Sequence, residues 1–400
     1  MGKLAIAVAH SLYPPTIIGG AEISTQILAE TLNRAYTVKV LTVGNHNDKR
    51  IQHDVLNGVD VLKLPYSNLY WYGDTQLKKN AINKIRWRLN DIYNSNQYRY
   101  AKQLLEENKV QLLHTQNLPG LSLSLWKAAR DLHIPIVHTL RDFSLIDPIN
   151  MKLYSLFYQN VAKRFSHYVD AIIGISNDVL DTHLKQGYFK NAKSYVVNNV
   201  VESDELTCRL FENKATNENS KASLVLGYFG QISAIKGIDY LIQAVKELDN
   251  SIVSELRIFG EGPELQPLKE LAKTDQRIVF YGKVDRSRIL TEMSKVDASF
   301  VPSVWKEPFG RVIIESYLVG TPVFGSRIGG IPEVIFEPDF FCFEPGDVNG
   351  IKSSIQAYYQ KNEKERQELT KAVNAYSKNF NTDMLLERHN EIYNQLLHVN

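Results

Sequence analysis

Hydrophobic and polar positions follow two alternating patterns along the first half of the chain. Short apolar runs rich in β-branched residues are separated by longer segments in which apolar residues recur at helical spacing. This alternation predicts a doubly wound, mainly parallel sheet, whose ligands bind at the carboxyl ends of its strands. We predict strands at 4–9, 38–42, 59–64, 112–115, 136–140, 171–175 and 194–197, and helices at about 20–33, 80–108, 121–132, 151–167 and 177–186.

A polar, acidic stretch interrupts this pattern at residues 201–222 and has the composition of an interdomain linker. A new apolar strand follows at 224–229. After Gly237, apolar residues return at helical spacing, which predicts a helix with one buried face. The chain closes with weakly periodic helices from about 348 to 398. The pattern therefore predicts an N-terminal domain at 1–200 and a C-terminal domain at 223–379.

The densest chemistry lies in residues 301–335, VPSVWKEPFGRVIIESYLVGTPVFGSRIGGIPEVI. A strand ends near Val301, and Gly310 opens a helix, so that Glu307 and Glu315 flank one helix N-terminus. The backbone N–H groups and partial positive charge of such an end favour an anion such as a phosphate, and two carboxylates accept hydrogen bonds from a polyol. The segment therefore indicates a nucleotide-sugar site. The alternative is a solvated loop acid and a surface helix acid.

The run EPFGRVIIE, followed by VGTPVFGSRIGGIPE, resembles the retaining glycosyltransferases of family 4, and the likeness extends over nearly the whole chain. The resemblance implies an α/β protein of the GT-B fold, with two facing Rossmann-like domains and a central cleft. The second domain would bind the nucleotide-diphosphate sugar and the first domain the acceptor. The last helix, at about 380–400, would pack back on the first domain.

The resemblance also implies a set of site residues. Glu307 would orient the donor sugar, Glu315 the ribose, and Lys236 would meet the diphosphate. Gln231 stands where the family commonly has an arginine, which removes one cation from the phosphate site. The implied donor-binding positions are Gly20, Glu22, Gln231, Gly260, Gly262, Lys283, Val284, Phe309, Gly310, Arg311 and Glu315, and the implied catalytic positions are Glu307, Lys236, Arg141, His138 and Asp142.

The segment VHTLRDF ends the predicted strand at 136–140. Family members usually have a histidine near this strand end that contacts the donor sugar, commonly in the form TLHD. This form places Arg141 at the histidine position and leaves His138 three residues early. We favour Arg141 and Asp142 as site residues, with His138 as the alternative, because a lone histidine in a strand is equally well explained as a hydrogen-bonded core residue.

The resemblance implies a hexosyltransferase that retains anomeric configuration by front-face attack, with a UDP- or GDP-sugar as co-substrate and no further cofactor. The chain contains no Asp-x-Asp motif, so we expect catalysis without a metal ion. Two alternatives remain. One is a non-catalytic nucleotide-sugar-binding or scaffold protein, and the other is a nucleotide-sugar epimerase, which the absence of a G-x-G-x-x-G motif disfavours.

Composition changes this picture little. The chain has 400 residues, 44% hydrophobic and 22% charged, which is ordinary for a soluble enzyme, and its two cysteines indicate neither a disulfide framework nor a metal cluster. No apolar run is long enough to predict a membrane span. We therefore expect a cytoplasmic protein with no nucleic acid among its partners. The basic first half of the chain suits a lipid-linked acceptor, so we expect a role in bacterial cell-surface polysaccharide synthesis.

Charge is distributed unevenly. Residues 1–200 carry a net charge of +8 and the remainder −6, although the whole chain has +2. Residues 76–102 hold seven basic residues and one acid, interspersed with Trp87, Tyr93, Tyr98 and Tyr100. Such a segment suits a membrane interface, so we hypothesise peripheral association with the anionic inner face of the plasma membrane, beside a glycan or lipid-linked acceptor. A solvated helix with some core contacts is the alternative.

Overall fold

The computed structural model describes residues 3–74, 77, 80–146, 152–216 and 223–397. Its Cα positions form two compact units, one of Met1–Asn199 with Thr382–Asn400 and the other of Val200–Asn381. Positions 76, 78 and 79 of the predicted membrane segment, and 217–222 of the predicted linker, lie outside the described residues. No helix of the described residues has the length and apolarity needed to span a bilayer.

The elements are numbered here in chain order. The strands are β1 Ala5–Ala9, β2 Thr37–Gly44, β3 Gln52–Leu56, β4 Val59–Pro65, β5 Leu112–Thr115, β6 Ile136–Leu140, β7 Ala171–Gly174, β8 Lys193–Val196, β9 Leu224–Phe229, β10 Val253–Phe259, β11 Ile278–Gly282, β12 Ala298–Val301, β13 Val323–Ser326 and β14 Cys342–Phe343. The helices are α1 Gly20–Leu32, α2 Ala81–Ile92, α3 Ser95–Glu107, α4 Ser124–Asp131, α5 Lys152–Ser166, α6 Asn177–Lys185, α7 Glu205–Ala215, α8 Ile238–Lys246, α9 Leu265–Ala272, α10 Arg286–Lys295, α11 Arg311–Leu318, α12 Ile331–Val334, α13 Pro338–Phe341, α14 Val348–Tyr359, α15 Glu363–Ser377 and α16 Thr382–Leu397.

The first unit is built on a sheet that, within the described residues, has eight strands in the order β3-β4-β2-β1-β5-β6-β7-β8. All its neighbouring strands run parallel except β3, which pairs antiparallel with β4. The central strands β1, β5, β6 and β7 are buried almost throughout, because helices cover such sheets on both faces. Helix α16 belongs to this unit and packs against α1.

The structure differs from two of the predictions for this unit. The predicted helix at 80–108 is two helices, α2 and α3, because Tyr93 leaves the helical conformation and the Asn94 side chain caps α3 by accepting from the N–H groups of Asn96 and Gln97. Strand β3 is absent from the predictions, because its residues are nearly all exposed and give no apolar alternation.

The second unit has a fully parallel sheet which, among the residues described, has six strands in the order β11-β10-β9-β12-β13-β14. From β9 the strands are added in chain order toward β11 on one side and from β12 toward β14 on the other. The topological switch point therefore lies between β9 and β12. In open parallel sheets, ligands bind beside this switch, at the carboxyl ends of the strands. The loops that follow β9, β10 and β12 therefore occupy the place where a ligand is expected.

The segment predicted as a linker, 201–222, contains helix α7, which packs on α10, α15 and α11 in the second unit. Its apolar side chains Leu206, Leu210 and Phe211 are only partly buried and are interspersed with polar residues, which hid the helical period from the sequence. The helix begins with a capping box, in which Asp204 accepts from the Thr207 N–H at 2.8 Å. The chain therefore enters its second unit by a folded helix.

Candidate functional site

The motif at 301–335 lies at the carboxyl edge of the second sheet. Two glycines, Gly237 before the motif and Gly329 within it, allow the backbone to approach these loops closely. Gly237 has φ +63°, and a Cβ there would lie 2.0 Å from the carbonyl oxygen of Pro302. Gly329 has φ +59°, and a Cβ there would lie 2.5 Å from the carbonyl oxygen of Glu307. The next N–H, of Gly330, donates to that same oxygen at 2.7 Å. The glycine turn therefore holds the backbone that carries the Glu307 carboxylate.

Lys236 and Glu307 form an ion pair at this edge. Lys236 ends a single turn of 3-10 helix after β9, and its ammonium contacts Glu307 Oε1. The same oxygen accepts from the Ser303 hydroxyl at 2.7 Å. Glu307 is 9% exposed, whereas Lys236 is only half-buried. The structure thus brings together two residues that are 71 positions apart and that the sequence assigned to one site.

Glu315 lies in the second turn of α11 and is paired with two guanidinium groups. Glu315 Oε1 is 3.3 Å from Arg311 Nε and 4.0 Å from Arg286 Nε. Burial lowers the pKa of Arg311, and the neighbouring Glu315 carboxylate partly offsets that shift. Helix α11 begins after Gly310, its N-cap residue, which has φ +91° and makes no side-chain cap hydrogen bond. Sequence reasoning missed Arg286, which has no motif around it.

The loops that carry the other predicted donor residues of this unit meet at the same edge, where the Gly260 N–H donates to the Gly282 carbonyl oxygen and the Ile232 N–H to that of Glu261. Gln231 is exposed at the end of β9, and its carbonyl oxygen accepts from the Tyr228 hydroxyl at 2.7 Å. Lys283 is exposed, while Val284 packs into the apolar cluster that includes Val312. Phe309 is buried, and Gly260 and Gly262 lie in the loop after β10.

Arg141 and Asp142 follow β6 at the carboxyl edge of the first sheet and line one small cavity. Arg141 Nε donates to Gln116 Oε1 at 2.6 Å, and Arg141 Nη1 donates to Asn199 Oδ1. Asp142 accepts from Asn117 Nδ2 at 3.1 Å and from the backbone N–H of Ser144 at 2.8 Å. The two charged side chains are therefore held in place by amides from neighbouring strands and loops.

His138 lies three residues earlier on β6, is 3% exposed and lines the same cavity. Its Nδ1 is 2.8 Å from the Thr115 hydroxyl, and its ring stacks on Phe189 at 5.7 Å between centroids. Burial lowers the pKa of His138 to about 3, with His183 and Arg141 adding to the effect. The imidazole is therefore neutral at physiological pH and has the surroundings of a core histidine.

Gly20 and Glu22 lie in the first turn of α1. Gly20 is exposed, but Glu22 is buried and its Oε2 accepts from the Gly19 N–H at 2.8 Å. This bond is one half of a capping box, so Glu22 has a structural partner in addition to its predicted donor role.

Asp91 is a buried acid that sequence reasoning did not single out. It lies on α2, lines the same cavity as Arg141, and both its oxygens accept from the Gly120 N–H, at 2.9 and 3.0 Å. Burial raises the pKa of Asp91 to about 7, partly offset by that hydrogen bond and by Arg88. Surrounded by basic residues in the sequence, this acid had the pattern of a surface helix position.

A search for metal ligands within the described ranges finds no group of three or more His, Cys, Asp or Glu side chains that could hold an ion. At the carboxyl edges of the two sheets, the charged side chains Glu307, Glu315, Arg141 and Asp142 each contact another polar or charged side chain.

Comparison with known proteins gives matches in both halves of the chain. The family model described as Glycosyltransferase Family 4 matches residues 18–205, and the model described as Glycosyl transferases group 1 matches residues 211–376. An uncharacterized 42.6 kDa protein in the cps region of Klebsiella pneumoniae is 32% identical over 406 residues, covering 97% of this chain and 99% of that protein.

Two solved structures are similar over almost their whole length. Sucrose-phosphate synthase from Thermosynechococcus elongatus has a TM-score of 0.71 and 19% identity, with 100% of both chains covered. HepE of Anabaena, in complex with UDP-glucose, has a TM-score of 0.69 and 18% identity, with 98% of this chain and 100% of that chain covered.

Proposed function

This chain belongs to family 4 of the glycosyltransferases and has their GT-B fold, and from that premise we propose that it transfers a hexose from a UDP- or GDP-sugar to a glycan or lipid-linked acceptor. The reaction proceeds with retention of configuration and without a metal ion. The product is a bacterial cell-surface polysaccharide or its precursor, made at the inner face of the plasma membrane. The location of a Klebsiella relative in a cps region supports this pathway.

One observation carries the proposal: two carboxylates and three cations converge on the carboxyl edge of the second sheet. Glu307 pairs with Lys236, and Glu315 pairs with Arg311 and Arg286. A nucleotide sugar needs both kinds of group, because its hydroxyls donate to carboxylates and its diphosphate accepts from cations and helix N–H groups. In this arrangement Glu315 binds the ribose and Glu307 the donor sugar.

In the proposed reaction, the acceptor hydroxyl attacks the anomeric carbon from the face that the diphosphate leaves. The bond between the anomeric carbon and the diphosphate oxygen breaks, and the departing oxygen takes the hydroxyl proton. Negative charge therefore grows on the diphosphate, and fixed positive groups stabilise it most. Lys236, Arg311 and the N-terminus of α11 supply that charge from the protein itself.

The donor competes with ion pairs that already exist. Lys236 binds the diphosphate by turning part of its hydrogen bonding away from Glu307, and Glu307 retains the Ser303 hydroxyl as a partner meanwhile. Without a ligand, the buried Glu307 carboxylate and the half-buried Lys236 ammonium thus neutralise each other. The bound donor takes over part of the hydrogen bonding of Lys236.

A thermal-shift screen of UDP-, GDP-, ADP- and dTDP-sugars tests this proposal. We expect one nucleotide series to stabilise the protein, with and without EDTA, by about 2.7 kcal/mol at 100 times its dissociation constant. Glu315→Ala should weaken that binding by about 10 to 150-fold, because a hydrogen bond to a charged group contributes about 1.5 to 3 kcal/mol.

Glu344→Ala is the matched control for the screen, since it removes an exposed acid of the same unit that is 3.8 Å from Arg327. A loss of the shift in EDTA would contradict metal independence, and equal affinity in Glu315→Ala would contradict the ribose assignment. Donor binding without transfer to any acceptor would support the non-catalytic alternative. Isotope exchange within free donor would support an epimerase.

Membrane association is part of the proposal, and exposed apolar side chains of the first unit support it. Ile82 and Leu89 on α2 are 68% and 44% exposed, and Leu156 and Phe157 on α5 are each 54% exposed. The two helices are in contact, and α2 also presents the exposed basic residues Lys84 and Arg86. An apolar face flanked by basic residues suits an anionic lipid surface. Trp87, by contrast, is buried, which removes one aromatic residue from the predicted interface.

Charged substitutions on this face should weaken vesicle binding. We expect the Ile82→Glu, Phe157→Glu double variant to lose at least about tenfold in affinity for phosphatidylglycerol vesicles, since each buried side chain contributes about 1.5 to 3 kcal/mol. Co-sedimentation measures this. Val55→Glu changes a residue on β3 that is 64% exposed, and it should bind as the wild type does. Unchanged sedimentation of the double variant would exclude this face as the membrane surface.

A further inference from the structure

The Arg141 side chain lies at one end of a buried chain of hydrogen bonds. Arg141 Nε is 2.6 Å from Gln116 Oε1, Gln116 Nε2 is 3.0 Å from His114 Nε2, and His114 Nδ1 is 2.6 Å from the Tyr393 hydroxyl. Gln116 is 1% exposed, and His114 and Tyr393 are fully buried. The chain therefore joins β6, the end of β5 and helix α16, the last helix of the sequence.

Only one arrangement of protons satisfies this chain. A guanidinium can only donate, so Gln116 turns its oxygen to Arg141 and its NH₂ group to His114. Because that NH₂ group can only donate, His114 Nε2 is the bare acceptor, and the Thr139 hydroxyl, 2.7 Å away, donates to the same nitrogen. The imidazole proton is then on Nδ1 and is donated to the Tyr393 hydroxyl oxygen. The charge of Arg141 thereby fixes the tautomer of His114.

The surroundings of His114 keep it in this neutral form. Burial lowers the pKa of His114 well below its usual value of 6.5, and the nearby His389, Arg141 and His138 lower it further. The His389 ring lies 5.5 Å from that of His114, and its own Nδ1 is 2.7 Å from the Leu385 carbonyl oxygen. A protonated His114 would set an N–H against the NH₂ group of Gln116. Neutrality of His114 and the orientation of Gln116 therefore depend on each other.

We propose that Gln116, His114 and Tyr393 are positioning residues that hold the Arg141 guanidinium for sugar transfer. The inference rests on the proposed function, since only a transferase site uses Arg141. Without the Tyr393 hydroxyl, the His114 proton on Nδ1 has no acceptor. Moving that proton to Nε2 requires the Gln116 amide to rotate, which turns its NH₂ group toward Arg141 and breaks that contact. A substitution of Tyr393 on α16 therefore changes the hydrogen bonding of Arg141.

The first test compares two tyrosine hydroxyls at helix α16: that of Tyr393, which lies on the helix, and that of Tyr36, which donates to it. Tyr393→Phe should lower kcat for transfer about tenfold with little change in donor KM, the effect of one lost buried hydrogen bond. Tyr36→Phe is the matched control, because the Tyr36 hydroxyl donates to Asn390 on α16 at 2.7 Å and lies outside the chain to Arg141. Thermal unfolding shows whether both variants are folded. If they are, equal kcat values for Tyr393→Phe and Tyr36→Phe would overturn the proposal.

The second test does not depend on activity. In ¹⁵N-histidine-labelled protein, long-range ¹H–¹⁵N spectra should show His114 neutral with its proton on Nδ1, assigned by its shift in Tyr393→Phe. Gln116→Glu still accepts from Arg141 but cannot donate, so its His114 should carry a proton on Nε2. A wild-type His114 protonated on Nε2 would overturn the proposal whatever the activity. The expected tautomer in a protein that transfers no sugar would contradict the proposed function and support the hydrogen-bond chain.

Discussion

Glu307→Gln should lower kcat/KM for sugar transfer by about 100-fold, the largest effect we expect from any conservative change. The substitution keeps the shape of the side chain and an oxygen for the Ser303 hydroxyl, but it removes the charge that pairs with the Lys236 ammonium. A charge-assisted hydrogen bond contributes about 1.5 to 3 kcal/mol, and the unpaired, half-buried ammonium adds to the loss. Initial rates at several donor concentrations measure the effect.

The control is Glu344→Gln, which removes the charge of an exposed acid in the same unit and should leave the rate unchanged. Lys236→Met supplies the second half of the comparison. If the two groups act through each other, the double variant should lose less than the sum of the single losses. Additive losses, or a rate of Glu307→Gln within twofold of the wild type, would refute the paired role.

Gly237→Ala should destabilise the second unit and displace the loop that leads to Glu307. A Cβ at this position would lie 2.0 Å from the Pro302 carbonyl oxygen, which belongs to the backbone of the loop that leads to Glu307 and cannot move as a side chain does. The backbone would also carry an alanine at φ +63°, at a cost of about 1 to 2 kcal/mol. We expect donor binding to be lost and the midpoint of thermal unfolding to fall by several degrees.

The variant Gly282→Ala distinguishes the steric clash of the added Cβ from the conformational cost of an alanine at positive φ. Gly282 has φ +73°, nearly the same conformation, but nothing lies within 4 Å of an added Cβ. It should therefore show the conformational cost alone and still bind the donor. If both variants lose the same stability, the close approach to Pro302 contributes nothing, and the interpretation of the loop is wrong.

The sequence predicted the GT-B fold correctly because the decisive features are local. The run from Glu307 to Glu315 spans one loop and the start of one helix, and the central strands β1, β5, β6, β7, β9 and β12 are short, fully or almost fully buried segments. The family assignment from these residues is confirmed by the models that match both halves of the chain. Local pattern is sufficient where one element and its cap contain the whole motif.

Partners brought from far along the chain could not be predicted. Arg141 is held by Asn199, 58 residues later, and Glu315 is near Arg286 at the start of a different helix. Neither pairing leaves a trace in spacing, because tertiary packing alone brings them together. Helix α7 was missed for a related reason, since its few apolar side chains are separated by polar residues, and some of its contacts with the second unit are hydrogen bonds from Lys214. The assignment of His138 or Arg141 to the family's histidine position stays a prediction.

Helix α16 belongs to the first unit but is synthesised after the whole second unit. The buried side chains Leu385, His389, Ile392 and Tyr393 complete a unit whose other residues end at Asn199. A ribosome adding about 5 to 20 residues per second needs roughly 10 to 40 s to make the chain between them. Throughout that time the nascent N-terminal unit lacks the cover for Tyr36 and His114. Its final assembly therefore waits until α16 has been made, and a chain that stops before residue 382 leaves this unit unfinished.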